Sequence, residues 1–228
     1  MHKIQDRITQ VNIRIKNAAS NAGRNPQAIT LLAVSKRQPN ALIQAAYDAG
    51  LRDFGENYLQ EAVEKIAVLA MPEARWHFIG PIQSNKTRAI AEHFEWVHSV
   101  DRLKIAQRLS EQRPSALPPL QICLQVNIDN EDTKSGVGVA ELETLALAVA
   151  ELPHLQLRGL MTIPATQYTA DNSPFVRLQT LFERLKKHPQ LANMDTLSMG
   201  MSGDMEDAIA AGSTQVRIGT ALFGERTH

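Results

Sequence analysis

Ile4, Ile8, Val11 and Ile15 recur at intervals of four, three and four residues, which predicts a leading helix with one apolar stripe that ends near Gly23, ahead of Asn25-Pro26. The pattern then changes. Residues 29–36 are a mostly apolar run of strand length without alternation, as expected of a strand buried on both faces, and the run stops at a lysine. Residues 40–50 return to helical spacing, with Leu42, Ala45, Ala46 and Ala49 facing inward. The same switch repeats: strands are predicted at 52–57, 75–79, 95–100, 120–128, 155–163, 196–201 and 215–218. Between them lie helices at 58–70, with Leu59, Ala62, Val63, Ile66 and Leu69 inward, at 86–93, from a cap at Asp101 to about Gln112, at 139–152, at 173–188 and from Asp204 to Gly212. The segment 114–119 is a loop, since the strand after it resumes the order at once. About eight strand–helix units predict a parallel sheet. At this length they predict a closed (β/α)8 TIM barrel, one domain over residues 1–228, with an additional N-terminal helix.

Composition narrows the partners. With 43% hydrophobic and 21% charged residues, the chain can build a large core, and its formal net charge of zero points to neither nucleic acid nor an anionic membrane as a partner. The N-terminus lacks the apolar core of a signal peptide, and no run reaches about 18 apolar residues, so a cytoplasmic location is expected. Cys123 is the one cysteine. Within an apolar run it reads as a small core residue rather than a catalytic thiol.

In a barrel of this kind the chemistry sits at the C-terminal ends of the strands. Two strand ends there carry small residues with backbone N–H groups: Ser202-Gly203, before a helix, and Gly219-Thr220, after the last strand. A phosphate held after the last two strands has this composition, and a tight turn is the competing reading. Arg217 lies on a strand expected to be buried, where a cation needs a partner. The same rim should hold Lys36, Asn57, His77 with Gly80, Met161-Thr162 and the polar loop 129–138. The Asp-Asn-Glu-Asp run of that loop has the wrong offsets for a calcium loop, and no metal site is predicted. A lysine at the end of a buried strand is partly desolvated, which frees its amine for attack on a carbonyl; a phosphate-bearing aldehyde is the matching ligand. On the residues alone Lys36 also reads as a solvated strand-end lysine, His77 as a hydrogen-bonded structural histidine, and Asn57 as a cap for the helix from Tyr58.

The segments Leu-Leu-Ala-Val-Ser-Lys36, Phe-Gly-Glu-Asn57, Trp-His-Phe-Ile-Gly-Pro-Ile-Gln-Ser-Asn-Lys86, Gly-Leu-Met-Thr162, Leu-Ser-Met-Gly-Met-Ser-Gly-Asp204 and Val-Arg-Ile-Gly-Thr-Ala-Leu-Phe-Gly224 together resemble the pyridoxal phosphate homeostasis proteins. These are similar to the N-terminal barrel of alanine racemase, fold type III among proteins that bind pyridoxal 5'-phosphate (PLP). The resemblance implies a covalent Schiff base between Lys36 and PLP, a phosphate site of Ser202, Gly203, Gly219 and Thr220, Arg217 facing the pyridine nitrogen, and Asn57 and His77 beside the ring. It also implies a protein that holds or delivers PLP and maintains intracellular vitamin B6 homeostasis with little or no catalysis. PLP-dependent apoenzymes would be the recipients, and the chain would be a monomer or weak homodimer. A PLP-dependent amino-acid racemase or decarboxylase is the alternative, and a cofactor-free Schiff-base aldolase the third reading. Alanine racemases carry a further β-domain with a catalytic tyrosine, whereas this sequence ends at His228, and none of Tyr47, Tyr58 and Tyr168 is placed to replace that group. An arginine at the ring nitrogen disfavours its protonation by charge repulsion, and so weakens carbanion chemistry.

Overall fold

The computed structural model describes residues 2–131, 134–165 and 167–224. Part of the loop 129–138 therefore lies outside the described residues. Strands β1 (Thr30–Val34), β2 (Asp53–Glu56), β3 (Arg75–Phe78), β4 (Trp96–Val100), β5 (Leu120–Gln125), β6 (Leu155–Met161), β7 (Thr196–Ser198) and β8 (Gln215–Ile218) pair in parallel with their sequence neighbours. β8 pairs back onto β1, Leu32 opposite Arg217, and closes the barrel. Helices α2 (Asn40–Asp48), α3 (Leu59–Val68), α4 (Thr87–His93), α5 (Leu103–Gln112), α6 (Leu142–Ala150), α7 (Pro174–Leu185) and α8 (Met205–Ala210) alternate with the strands. The expected (β/α)8 barrel is the fold of the molecule.

Period-two alternation divides each strand between two environments. In β8, Val216 and Ile218 join the main apolar core between strands and helices, while Gln215 and Arg217 are buried outside that cluster. The buried set outside it is polar to an unusual degree: Asp53, His77, His98, Ser198, Gln215 and Arg217 accompany Leu32, Cys123 and Met161. Burial pushes the Cys123 thiol up to about 12, so it is an inert core residue.

The leading helix α1 (His2–Asn21) buries Ile4, Ile8, Val11 and Ile15 as the spacing predicts. It packs on α2, α8 and a short last helix, α9 (Thr220–Phe223), which the pattern did not announce. Arginines of the leading segment reach backbone carbonyls there: Arg14 donates to Ser202 O at 3.0 Å and Arg24 to Ile209 O at 2.6 Å and Ser213 O at 2.7 Å. Two predicted caps are corrected. Asp101 does not cap α5 but accepts from the Arg102 side chain, and Asp204, in the N-cap position of α8, accepts from the Met201 N–H instead. Charged side chains beside a terminus have such competing partners. No described helix is long and apolar enough to cross a membrane.

Candidate cofactor-binding site

Strand β1 ends at Val34, and Lys36 stands half-buried two residues beyond it. The neighbours of Lys36 are fixed from behind. The Ser35 hydroxyl donates to Glu56 at 2.6 Å, and the Lys65 ammonium donates to the Ser35 carbonyl and to Glu56, each at 2.8 Å. Glu61 also accepts from Lys65 and takes the N–H of Arg37, whose φ of 57° is uncommon for a residue with a side chain. Lys65 was not foreseen: it occupies a buried position of α3, where burial raises the Glu56 carboxyl and Lys65 opposes that shift. Removing either member of such a pair leaves a buried charge and costs roughly 3–5 kcal/mol. The cluster thus clamps the ends of β1 and β2 that carry Lys36 and Asn57.

Asn57 is not the cap of α3. Tyr58 takes the N-cap place with no side-chain bond, and the Asn57 side-chain oxygen is buried without a hydrogen-bond partner among the described residues. Buried polar atoms are nearly always paired, so this orphan acceptor fits a ligand-binding position. The end of β3 approaches so closely that a Cβ on Gly80 would lie 2.2 Å from the Asn57 carbonyl oxygen.

After β7 the chain turns at Gly200, whose φ is 94° and where a Cβ would meet the Ala208 Cβ at 2.6 Å. The turn delivers half-buried Ser202 and exposed Gly203, beside which a Cβ would find no heavy atom within 4 Å. Gly219 follows β8 and packs on the end of β1, its Cβ position 3.5 Å from Val34; Thr220 follows, exposed, as the first residue of α9. The order β8, β1, β2 therefore places Gly219-Thr220, Lys36 and Asn57 on three adjacent strand ends.

Arg217, 4% exposed, donates to the Ser198 carbonyl at 2.6 Å, the Ser198 hydroxyl at 3.0 Å and the Thr162 carbonyl at 2.8 Å. Burial lowers its pKa to about 10, which leaves it a cation at neutral pH. The partners the sequence demanded for Arg217 are thus neutral acceptors.

His77 is the residue expected beside the ring. It is buried in the barrel interior, its Nε2 2.9 Å from Asp53 and its Nδ1 2.9 Å from His98, so both nitrogens are already engaged. Its alternative reading, a hydrogen-bonded structural histidine, describes it. Asp53, His98 and Ser198 escaped sequence reading. Period-two spacing from Trp96 to His98 and Val100 was the available signal, but nothing local says what meets across a closed barrel.

A cleft of about 800 Å³ opens at the opposite, N-terminal mouth, lined by Asp53, Arg75, His77, Trp96, Arg158 and Gln215 among others. Its cations are paired there, Arg75 with Asp53 at 2.6–2.7 Å and Arg158 with Asp195. The lysine and the hydroxyl–glycine turns lie at the other mouth, where an amine, a hydroxyl-lined cradle and a fixed cation suit an anionic aldehyde.

Comparison with known proteins agrees with this geometry. Residues 12–227 match the family described as alanine racemase, N-terminal domain. The chain is 58% identical over its whole length to the pyridoxal phosphate homeostasis protein of Pseudomonas aeruginosa, covering 98% of that protein. It superposes on PipY of Synechococcus elongatus, solved with PLP bound, with a TM-score of 0.84 and 37% identity, over 97% of this chain and 100% of that one. Alanine racemase from Corynebacterium glutamicum, at 18% identity, shares the fold with a TM-score of 0.67 over 96% of this chain and 61% of its own. The chain belongs to the alanine racemase N-terminal-domain family and, within it, to the pyridoxal phosphate homeostasis proteins.

Proposed function

We propose that this protein binds PLP at the C-terminal mouth of its barrel, holds it through Lys36, and releases it to PLP-dependent apoenzymes in the cytoplasm, with little or no turnover of its own. PLP supplies an aldehyde that condenses with a primary amine and a pyridine ring that can draw electron density. Lys36 provides the amine, on a backbone segment clamped by Lys65, Glu56 and Glu61. Ser202 and Thr220 donate hydroxyls to the phosphate, with the N–H groups of Gly203 and Gly219 beside them. Asn57 turns its unpartnered amide oxygen toward the ligand. Arg217 faces the ring nitrogen as a buried cation.

The observation that carries the reading is that Arg217, on β8 beside β1, donates to neutral acceptors, Ser198 on β7 and the Thr162 carbonyl after β6. A carboxylate in that place would keep the ring nitrogen protonated and the ring a stronger electron sink, whereas a guanidinium repels that proton. Such a site binds the cofactor without activating it strongly.

Lys36→Ala should abolish the visible absorption of the protein–PLP complex while circular dichroism shows the fold intact, and borohydride reduction of the wild type should mark Lys36 in a peptide map. A band that survives the substitution, or a label on Lys86 or Lys134, would move the site.

A further inference from the structure

The polar side chains inside the barrel form one connected line. Arg217 Nη1 lies 3.0 Å from Ser198 Oγ, Ser198 Oγ 2.8 Å from His98 Nδ1, His98 Nε2 2.9 Å from His77 Nδ1, and His77 Nε2 2.9 Å from Asp53 Oδ1. Each of the five residues is at most 7% exposed. The line begins below the candidate cofactor site and ends at the N-terminal cleft, where Arg75 also grips Asp53.

The two ends determine the direction of every bond. A guanidinium can only donate and a carboxylate can only accept. Asp53 takes the Nε2 proton of His77, so a neutral His77 presents a bare Nδ1 and His98 must donate its own Nε2 proton there. His98 then presents a bare Nδ1, which takes the hydroxyl proton of Ser198, and the lone pairs of that oxygen turn toward Arg217. All donors point one way, and both histidines carry their proton on Nε2. The alternative, a charged His77 beside Asp53, requires an imidazolium at a fully buried ring. Burial opposes that by lowering the pKa of His77, and it lowers that of His98 further, with the neighbouring His77 and Arg217 adding to it. Hydrogen bonds aligned this way polarise one another, with negative ends toward the cation and positive ends toward the carboxylate.

We infer that Ser198, His98, His77 and Asp53 are positioning residues that form a one-way hydrogen-bond relay, holding the buried Arg217 guanidinium in one orientation. The inference rests on the reading that Arg217 faces the cofactor ring. The neutral groups of the relay turn the negative ends of their dipoles toward the guanidinium, so the cation is stabilised without a carboxylate beside it.

The test has two arms. In ligand-free wild-type protein labelled with ¹⁵N-histidine, long-range proton–nitrogen spectra at neutral pH should show two rings with slowly exchanging Nε2 protons, both neutral. An imidazolium or an Nδ1–H tautomer in either buried ring overturns the relay, whatever the protein binds. In the PLP-loaded protein, Ser198→Ala should speed cofactor release about tenfold and shift the pH profile of the visible band, and Ser198→Thr, which keeps the hydroxyl, should restore both. Equal behaviour of the Ala and Thr variants overturns the positioning role. If wild type takes up no PLP, the cofactor reading fails and the spectra still decide the relay.

Discussion

In the proposed site Ser202 and Thr220 would hold the phosphate through short hydroxyl side chains, while the other groups would address the aldehyde or the ring. Hydrogen bonds to a charged group contribute roughly 1.5–3 kcal/mol each, so Ser202→Ala combined with Thr220→Val should weaken PLP retention markedly and affect pyridoxal, which lacks the phosphate, little. Equal loss for both ligands in equilibrium dialysis would show that these residues hold the fold or the ring instead. His98 makes a different prediction. Its pKa is held well below the ordinary 6.5 by burial first, then by His77 and Arg217. The unfolded chain therefore takes up a proton near pH 6.5 that the native ring refuses, and stability falls as the pH drops below that value. One such ring costs about 1 kcal/mol between about pH 6.5 and about pH 5.5, so the slope of urea-unfolding free energy against pH should be shallower in His98→Gln by about that amount. An unchanged slope would mean that His98 titrates normally in the folded protein.

At the scale of elements, α1 is more than an outer covering. It packs on α8 and α9, the two short helices beside the proposed phosphate residues, and Arg14 joins Ser202 O to the Glu206 carboxylate. The Arg14–Glu206 pair is substantially exposed, with side chains 39% and 47% accessible, so its worth to global stability is under about 1 kcal/mol. Its effect on the Ser202 turn should be larger than its effect on folding. Arg14→Ala should therefore raise the PLP dissociation rate severalfold with little change in thermal midpoint. A large fall in the midpoint with unchanged release would reduce α1 to packing alone. Opposite the turn, the Lys65 cluster does the equivalent for Lys36 by joining α3 to the ends of β1 and β2.

For the molecule as a whole, the barrel separates the mouth that carries Lys36 from one whose Arg75 and Arg158 are ion-paired, and runs a polar line between them. The fold is shared with alanine racemase, so fold alone does not assign the chemistry, which is set by the residues around the ligand. On the proposal that Arg217 faces the ring nitrogen, incubation of the PLP-loaded protein with L- or D-alanine in deuterated water should leave Cα–H exchange near the rate of free PLP. A placed general acid or base is typically worth about 10²–10⁴-fold, so its presence would be plain. Rapid stereoinversion by wild type that disappears in Lys36→Ala would put the racemase reading first.

The sequence by itself determined the barrel, its leading helix and the strand ends that carry Lys36, Asn57, Ser202 and Gly219. Those follow from periods of two and 3.6 residues and from glycine turns, which act over a few residues and are written locally. Even the need of Arg217 for partners was legible, since a cation on a buried strand cannot stand alone. Which partners it found was decided by closure. Ser198 and His98 are 100 residues apart, on β7 and β4, strands that are not neighbours in the sheet, and they meet because inward side chains of a closed barrel share one interior. The burial of Lys65 against Glu56, the orphan oxygen of Asn57 and the engagement of both nitrogens of His77 have the same origin. Helix placement and barrel register bring those groups together, and no spacing along the chain records that.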